Sequence, residues 1–255
     1  MILRRLGNKK KLVNKILPHF PKHDLYIEPF FGAGGMFFNK PKAKYNIMND
    51  LDSDVYNLFQ VVSTRKTELE MAWLGMPIHI DLWEHWKKHK ETEPIKKAIR
   101  FLFLSNYGFM GNAETLRYNN TNTAKLIYQN IENTKKLLFG VEFMNCSFEE
   151  MFKKISLGSE REKNKAFIYC DPPYLGTANN YVSGFTNEQS FNLFEVLQNT
   201  GVRWAMSEFD HPFILEQAEI RKLKVIDIGI RNNVKNRRKE LLITNFDQNT
   251  QLKLF

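Results

Sequence analysis

The residues best placed to do chemistry are Asp171-Pro172-Pro173-Tyr174, which follow the five apolar residues Ala166–Cys170. Each proline fixes φ and lacks an N–H, so the Pro172 carbonyl is left to accept a hydrogen bond from a ligand. A carboxylate, a carbonyl and an aromatic ring then stand together at a strand end. Such a set suits the holding of a planar aryl amine. Asp171 and the Pro172 carbonyl accept its two N–H hydrogens, and Tyr174 stacks on its ring. The lone pair of an aryl amine is conjugated into the ring. Accepting its hydrogens returns electron density to nitrogen and helps it pyramidalise toward an incoming methyl group. Such a transfer needs mainly positioning and electrostatics, with no metal and no covalent enzyme intermediate. A bare Pro-Pro reads as a stiff turn capping a strand; an aspartate-led tetrad after five strand-type residues is more specific.

A second chemical element is Glu28-Pro29-Phe30-Phe31-Gly32-Ala33-Gly34-Gly35, after the strand-like Leu25-Tyr26-Ile27-Glu28. Glycines in such a loop let backbone approach a ligand closely. The spacing departs from the dinucleotide fingerprint and no Walker Lys-Ser/Thr follows, which argues against a pyrophosphate or a nucleoside triphosphate. Asp50, about twenty residues further on at the end of the next strand, is placed to accept from ribose hydroxyls. It or Asp52 also suits the capping of a helix. Loop and acid together point to a nucleoside cofactor without a pyrophosphate.

The surrounding elements must position these groups. Tyr45 to Met48 reads as a second strand and Asp52 to Val62 as a helix. A basic, partly amphipathic helix is expected from Leu6 to Leu17, ended by Pro18, and another carries Met36, Phe37 and Phe38. Strand signals return at Val141–Met144, Ala166–Cys170, Arg203–Met206, Lys224–Ile230 and Glu240–Thr244, with helices at Phe148–Lys154 and Glu188–Asn199. Strands alternating with helices indicate an α/β fold, with a Rossmann-like, mostly parallel sheet. The last two strands are joined by a loop of about ten residues with no helical pattern, so that pair reads as an antiparallel C-terminal hairpin. Between them, residues 63–140 show helical periods at Thr67–Leu74, Leu82–His89 and Ile95–Leu104, and Asn106 to Thr123 reads as a polar loop. This stretch is read as a mainly helical insertion, leaving 1–62 and 141–255 as one catalytic domain.

At 255 residues and 43% hydrophobic content the chain can bury a sizeable core. Thirty-seven Lys and Arg against 28 Asp and Glu give a net charge of +9, an electrostatic footprint suited to phosphate backbones. No apolar run is long enough to span a bilayer, and the N-terminus lacks a signal-peptide core. Cys146 and Cys170 lie in apolar surroundings, as two buried thiols in a reducing cytoplasm would. No Cys/His spacing suggests a metal.

Taken in order, these pieces resemble the Dam-type family (D12 class) of DNA adenine-N6 methyltransferases, across roughly Arg4 to Phe246. Gly7-Asn8-Lys9 resembles its N-terminal Gly-Gly-Lys element, and Tyr26 to Gly34 its methionine-binding loop. Asn49-Asp50 resembles its ribose-binding acid. Asn106-Tyr107-Gly108-Phe109-Met110-Gly111 with Arg117-Tyr118-Asn119 resembles the start of its target-recognition segment. Glu240 to Phe246 resembles its closing strand. The resemblance implies S-adenosylmethionine as cofactor. It implies a cofactor site lined by Gly7, Lys9, Glu28, Phe30, Gly32, Gly34, Asp50 and Asp171, with Phe148 on the cofactor adenine. It implies Asp171, Pro172, Pro173 and Tyr174 as the catalytic tetrad, and residues 63–140 as the target-recognition domain. Arg5 stands where the family often has an aromatic, and Ser147 where it often has Asp. The pattern tied to GATC recognition is absent after Asn119, so the target sequence does not carry over.

The implied substrate is adenine in double-stranded DNA, which must be flipped out of the stack to be reached. Leu175 to Phe185, including Tyr181, reads as a segment closing over the flipped base. Arg231 to Lys239, with Lys235, Arg237 and Arg238, reads as a basic loop for phosphates. Arg117 and Asn119 have the chemistry to read base edges. A cognate restriction endonuclease is a partner the resemblance allows, in the cytoplasm of a bacterial or phage-infected cell. Cytosine N4, an RNA adenine or an inactive DNA-binding module remain alternatives.

Overall fold

The computed structural model describes residues 2–5, 7–109, 111–118, 122–176, 185–232 and 237–247. Along the chain run α1 (Val13–Ile16), β1 (Leu25–Glu28), β2 (Tyr45–Asn49), α2 (Ser53–Thr64), α3 (Lys66–Gly75), α4 (Ile80–Lys88), α5 (Pro94–Tyr107), β3 (Gly108–Phe109), β4 (Asn112–Leu116) and α6 (Thr123–Leu138). There follow β5 (Val141–Met144), α7 (Phe148–Lys154), α8 (Glu160–Lys163), β6 (Ala166–Cys170), α9 (Asn187–Asn199), β7 (Arg203–Phe209), α10 (Pro212–Ile220), β8 (Lys224–Asn232) and β9 (Arg237–Thr244).

Among the described residues, seven strands form one sheet in the order β5-β2-β1-β6-β7-β9-β8. The pairings from β5 to β7 are parallel; β9 runs antiparallel to both β7 and β8. This is the mostly parallel sheet with an antiparallel C-terminal hairpin expected from the strand pattern. All five residues of β6 are buried, as a central strand covered on both faces requires. The order puts the carboxyl ends of β2, β1 and β6 side by side. Asp50, Glu28 and Asp171, each at or just past one of those ends, are thereby gathered on one edge, where open α/β sheets bind ligands.

Several local expectations are corrected. The N-terminal basic helix is broken into a 3-10 turn at Lys9–Lys11, the short α1 and a second 3-10 turn at Leu17–His19, which carries Pro18 in its first turn. The helix expected to carry Met36 to Phe38 is a single 3-10 turn, Phe37–Asn39. The Asn106–Thr123 loop is not loop throughout: Asn106 and Tyr107 end α5, and β3 and β4 pair as a short antiparallel hairpin with a bulge. The helix α10 gave no clear period in the sequence; it starts with Pro212 at its first turn and is capped by His211.

The helices between residues 63 and 140 share a core with the sheet. Trp73, Trp83, Phe103 and Ile131 belong to the same buried cluster as Tyr26, Phe31 and Met48, with α2 residues Val55, Leu58 and Phe59 between them. A second cluster on the other face joins Ile168 and Trp204 to Phe194 and Leu197 of α9.

Candidate active site

The edge formed by β2, β1 and β6 opens into a cavity of about 640 Å³. Gly7, Lys9, Glu28, Phe30, Gly32, Asp50, Phe148, Asp171 and Pro173 all line it. Residues separated by more than 160 positions in the chain therefore meet in one site, as the sequence reading expects.

The glycine loop is held by its neighbour strand. The Gly32 N–H donates to Asp50 Oδ2 at 2.6 Å, and Asp52 N–H donates to Asp50 Oδ1 at 2.9 Å. Burial raises the Asp50 carboxyl above its usual range, while Arg5 opposes the shift. Asn49 ties the strand ends together, donating to the carbonyls of Pro29 (3.1 Å) and Cys146 (2.9 Å). Gly32 has φ +53, and a Cβ built on it meets nothing within 4 Å, so a side chain there would project into the cavity. Gly34, expected at the cofactor, packs behind the wall: a Cβ there would come 2.4 Å from the Phe38 ring. Phe30, Phe148 and Phe185 form an aromatic wall, with ring centres 5.7 to 6.2 Å apart.

Beside the tetrad lies a buried charged cluster. Lys9, 2% exposed, sets its ammonium 2.6 Å from Asp171 Oδ1 and 3.2 Å from Glu240 Oε1. The same ammonium lies 4.5 Å from the centre of the Tyr174 ring. The Tyr174 hydroxyl donates to Glu240, and its ring meets Phe209 edge-on at 4.5 Å. Tyr174 and Pro172 are buried, while Asp171 and Pro173 stand on the cavity wall. Burial drives the Tyr174 phenol well above its ordinary range, helped by Asp171 and Glu240. Glu208, next to this set on β7, is likewise pushed well up by burial.

Glu28, 2% exposed, accepts from the Tyr26 hydroxyl at 2.8 Å. Burial raises its carboxyl to about 8, against the Tyr26 hydrogen bond and with the help of Asp171 and Asp50. It is therefore largely protonated at neutral pH in the ligand-free protein, and a cation placed beside it would ionise it.

The family described as D12 class N6 adenine-specific DNA methyltransferase matches residues 6–238. The chain belongs to this family. Among its relatives are DNA adenine methylases of Salmonella typhi (27% identical, covering 93% of this chain and 91% of that protein) and Escherichia coli K12 (28%, covering 93% and 91%). The modification methylase StsI of Streptococcus sanguinis is 26% identical over 97% of this chain and 43% of its own length. The enzyme transfers a methyl group from S-adenosylmethionine to N6 of adenine in DNA.

The cavity fits that cofactor. It has an acid at a strand end for ribose hydroxyls, an aromatic wall for an adenine ring, acidic groups for a sulfonium and ammonium, and a glycine that leaves open space where a Cβ would intrude. Arg5, which stands where the family often has an aromatic, lines the cavity and pairs with Asp52 at 2.9 Å. The sequence reading missed Glu240 and Glu208 as parts of the site. The acid at position 208, following Trp204-Ala205-Met206 in a buried strand, is the signal that could have found one of them.

Of the residues expected at DNA, Arg117 is exposed just past β4. Arg238 turns back onto the chain leaving the tetrad, donating to the carbonyls of Leu175 and Gly176 at 3.3 Å each. Asn119, Tyr181 and Lys235 and the Arg237 side chain lie outside the described residues. No helix among the described residues is long and apolar enough to cross a membrane.

Proposed function

We propose that Asp171 and the Pro172 carbonyl hold the amino group of a flipped-out adenine at the mouth of this cavity. Asp171 accepts one amine N–H, and Pro172 accepts the other. Tyr174 supplies the stacking surface for the base. Gly7, Lys9, Glu28, Phe30, Gly32, Asp50 and Phe148 hold the cofactor, which when bound supplies an electrophilic methyl group. Residues 63–140 form the target-recognition unit, with Arg117 and Asn119 facing base edges, and Tyr181, Lys235 and Arg237 facing DNA. The enzyme acts in the cytoplasm; a cognate restriction endonuclease is the partner suggested by the relative StsI.

The observation that carries this reading is the meeting of Asp171 with Glu28 and Asp50 on one cavity wall, across three adjacent parallel strands. Replacing Asp171 by Ala removes the acceptor without removing the cavity. Transfer to DNA should fall at least ~100-fold, the scale seen when one preorganised charge-stabilising group is lost. Most of the DNA affinity should remain, measured by equilibrium binding on the same DNA. Transfer at the wild-type rate would refute the role of the tetrad.

A further inference from the structure

We propose that Arg238 is a positioning residue for the tetrad, acting together with Glu240 from one face of β9. The proposal rests on the reading of residues 171–174 as the amine-holding tetrad. Arg238 and Glu240 are two residues apart in a strand, so their side chains leave on the same side. Both meet the tetrad. Glu240 accepts from the Tyr174 hydroxyl and lies 3.2 Å from Lys9, which is itself paired with Asp171. Arg238 reaches the next stretch of backbone. Its Nη1 donates to Leu175 O and its Nη2 to Gly176 O, each at 3.3 Å.

The chemistry of this contact is that of a fork. Two successive carbonyls are presented at Gly176, where φ is +67 and the chain turns sharply. A planar guanidinium offers two N–H groups in the spacing needed to satisfy both; an ammonium is a point charge and cannot span them in the same fixed way. The guanidinium also lies 5.6 Å from the centre of the Phe209 ring, and that ring meets Tyr174 edge-on. Tyr174 is thus fixed at its hydroxyl by Glu240, at its ring by Phe209, and through the following backbone by Arg238. From sequence alone, Arg238 reads as one more phosphate contact in a basic loop. Its geometry points inward, to the place where the base must be held, and a small misplacement there costs rate rather than affinity.

The test compares Arg238→Ala and Arg238→Lys with the wild-type enzyme in three measurements. These are amide hydrogen exchange of the peptide covering 172–176, single-turnover methyl transfer at saturating DNA, and the salt dependence of DNA binding. In Arg238→Ala, exchange in that peptide should rise about tenfold and the transfer rate should fall ~10- to 100-fold. S-adenosylmethionine affinity and the salt slope should not change. Arg238→Lys should bind DNA like wild type yet recover little of the rate. A wild-type exchange pattern or a wild-type rate in Arg238→Ala overturns the proposal. So does a salt slope reduced by about one with the rate restored at saturating DNA, which marks a phosphate contact. If the wild-type enzyme labels no DNA, the tetrad reading fails, while the exchange measurement still decides whether Arg238 clamps this backbone.

Discussion

Glu28 shows how a single residue couples the cavity to pH. Its carboxyl is raised to about 8 in the fold, mainly by burial. A carboxyl raised above its unfolded value contributes stability that is fully present below the unfolded value near 4.5, and this is lost as pH rises through about 8. The ligand-free enzyme should therefore lose stability between these limits relative to Glu28→Gln, followed by thermal unfolding. A cationic ligand beside Glu28 favours its ionised form, so S-adenosylmethionine binding at pH 7 should release a proton. Calorimetry in two buffers of different ionisation enthalpy measures this, and Glu28→Gln should abolish the release. Equal apparent enthalpies for the wild type in both buffers would contradict it. Gly32→Ala is a second test at this scale. At φ +53 an alanine is strained by roughly 1 kcal/mol, and its methyl enters the cavity. Cofactor affinity should drop about tenfold or more with a much smaller change in stability; unaltered affinity would place the cofactor elsewhere.

Among the elements, what could be read from sequence followed from periodicity and chain order. The apolar run of β6 ending in the tetrad, the glycine loop after β1 and the acid after β2 are all local patterns, and each stands where expected. The ion pairs that join distant elements were not legible. Nothing near Lys9 in the chain announces Glu240, and the pairing exists only because β9 lies beside β7 and near the N-terminal turn. The hairpin β3–β4 was hidden by its polar composition, and the 3-10 turns by the helix-like spacing of the apolar residues around them. The helices of residues 63–140 read as an insertion in the sequence, and in the fold they share a buried cluster with the sheet. Phe103 belongs to this cluster and is fully buried, with Trp83 and Trp86 at 5.5 and 5.7 Å. Phe103→Ala should cost about 3–5 kcal/mol and lower the whole unfolding transition. Tryptophan fluorescence and circular dichroism should report coincident urea curves. A separate early transition in fluorescence alone would show that the insertion unfolds by itself.

At the scale of the whole molecule, the fold gathers chemistry along one edge of a sheet and leaves a net charge of +9 to meet DNA. The charge supplies attraction without sequence information. The target sequence must be read through contacts to base edges, the role proposed above for Arg117. The most direct test of the central claim is to incubate the purified enzyme with tritiated S-adenosylmethionine and unmethylated genomic DNA. The DNA is then digested to nucleosides and the labelled positions are mapped by sequencing. The account predicts label in N6-methyladenine, confined to one short sequence context, and at least ~100-fold less from Asp171→Ala. Label in cytosine, or in RNA or protein in place of DNA, would contradict it.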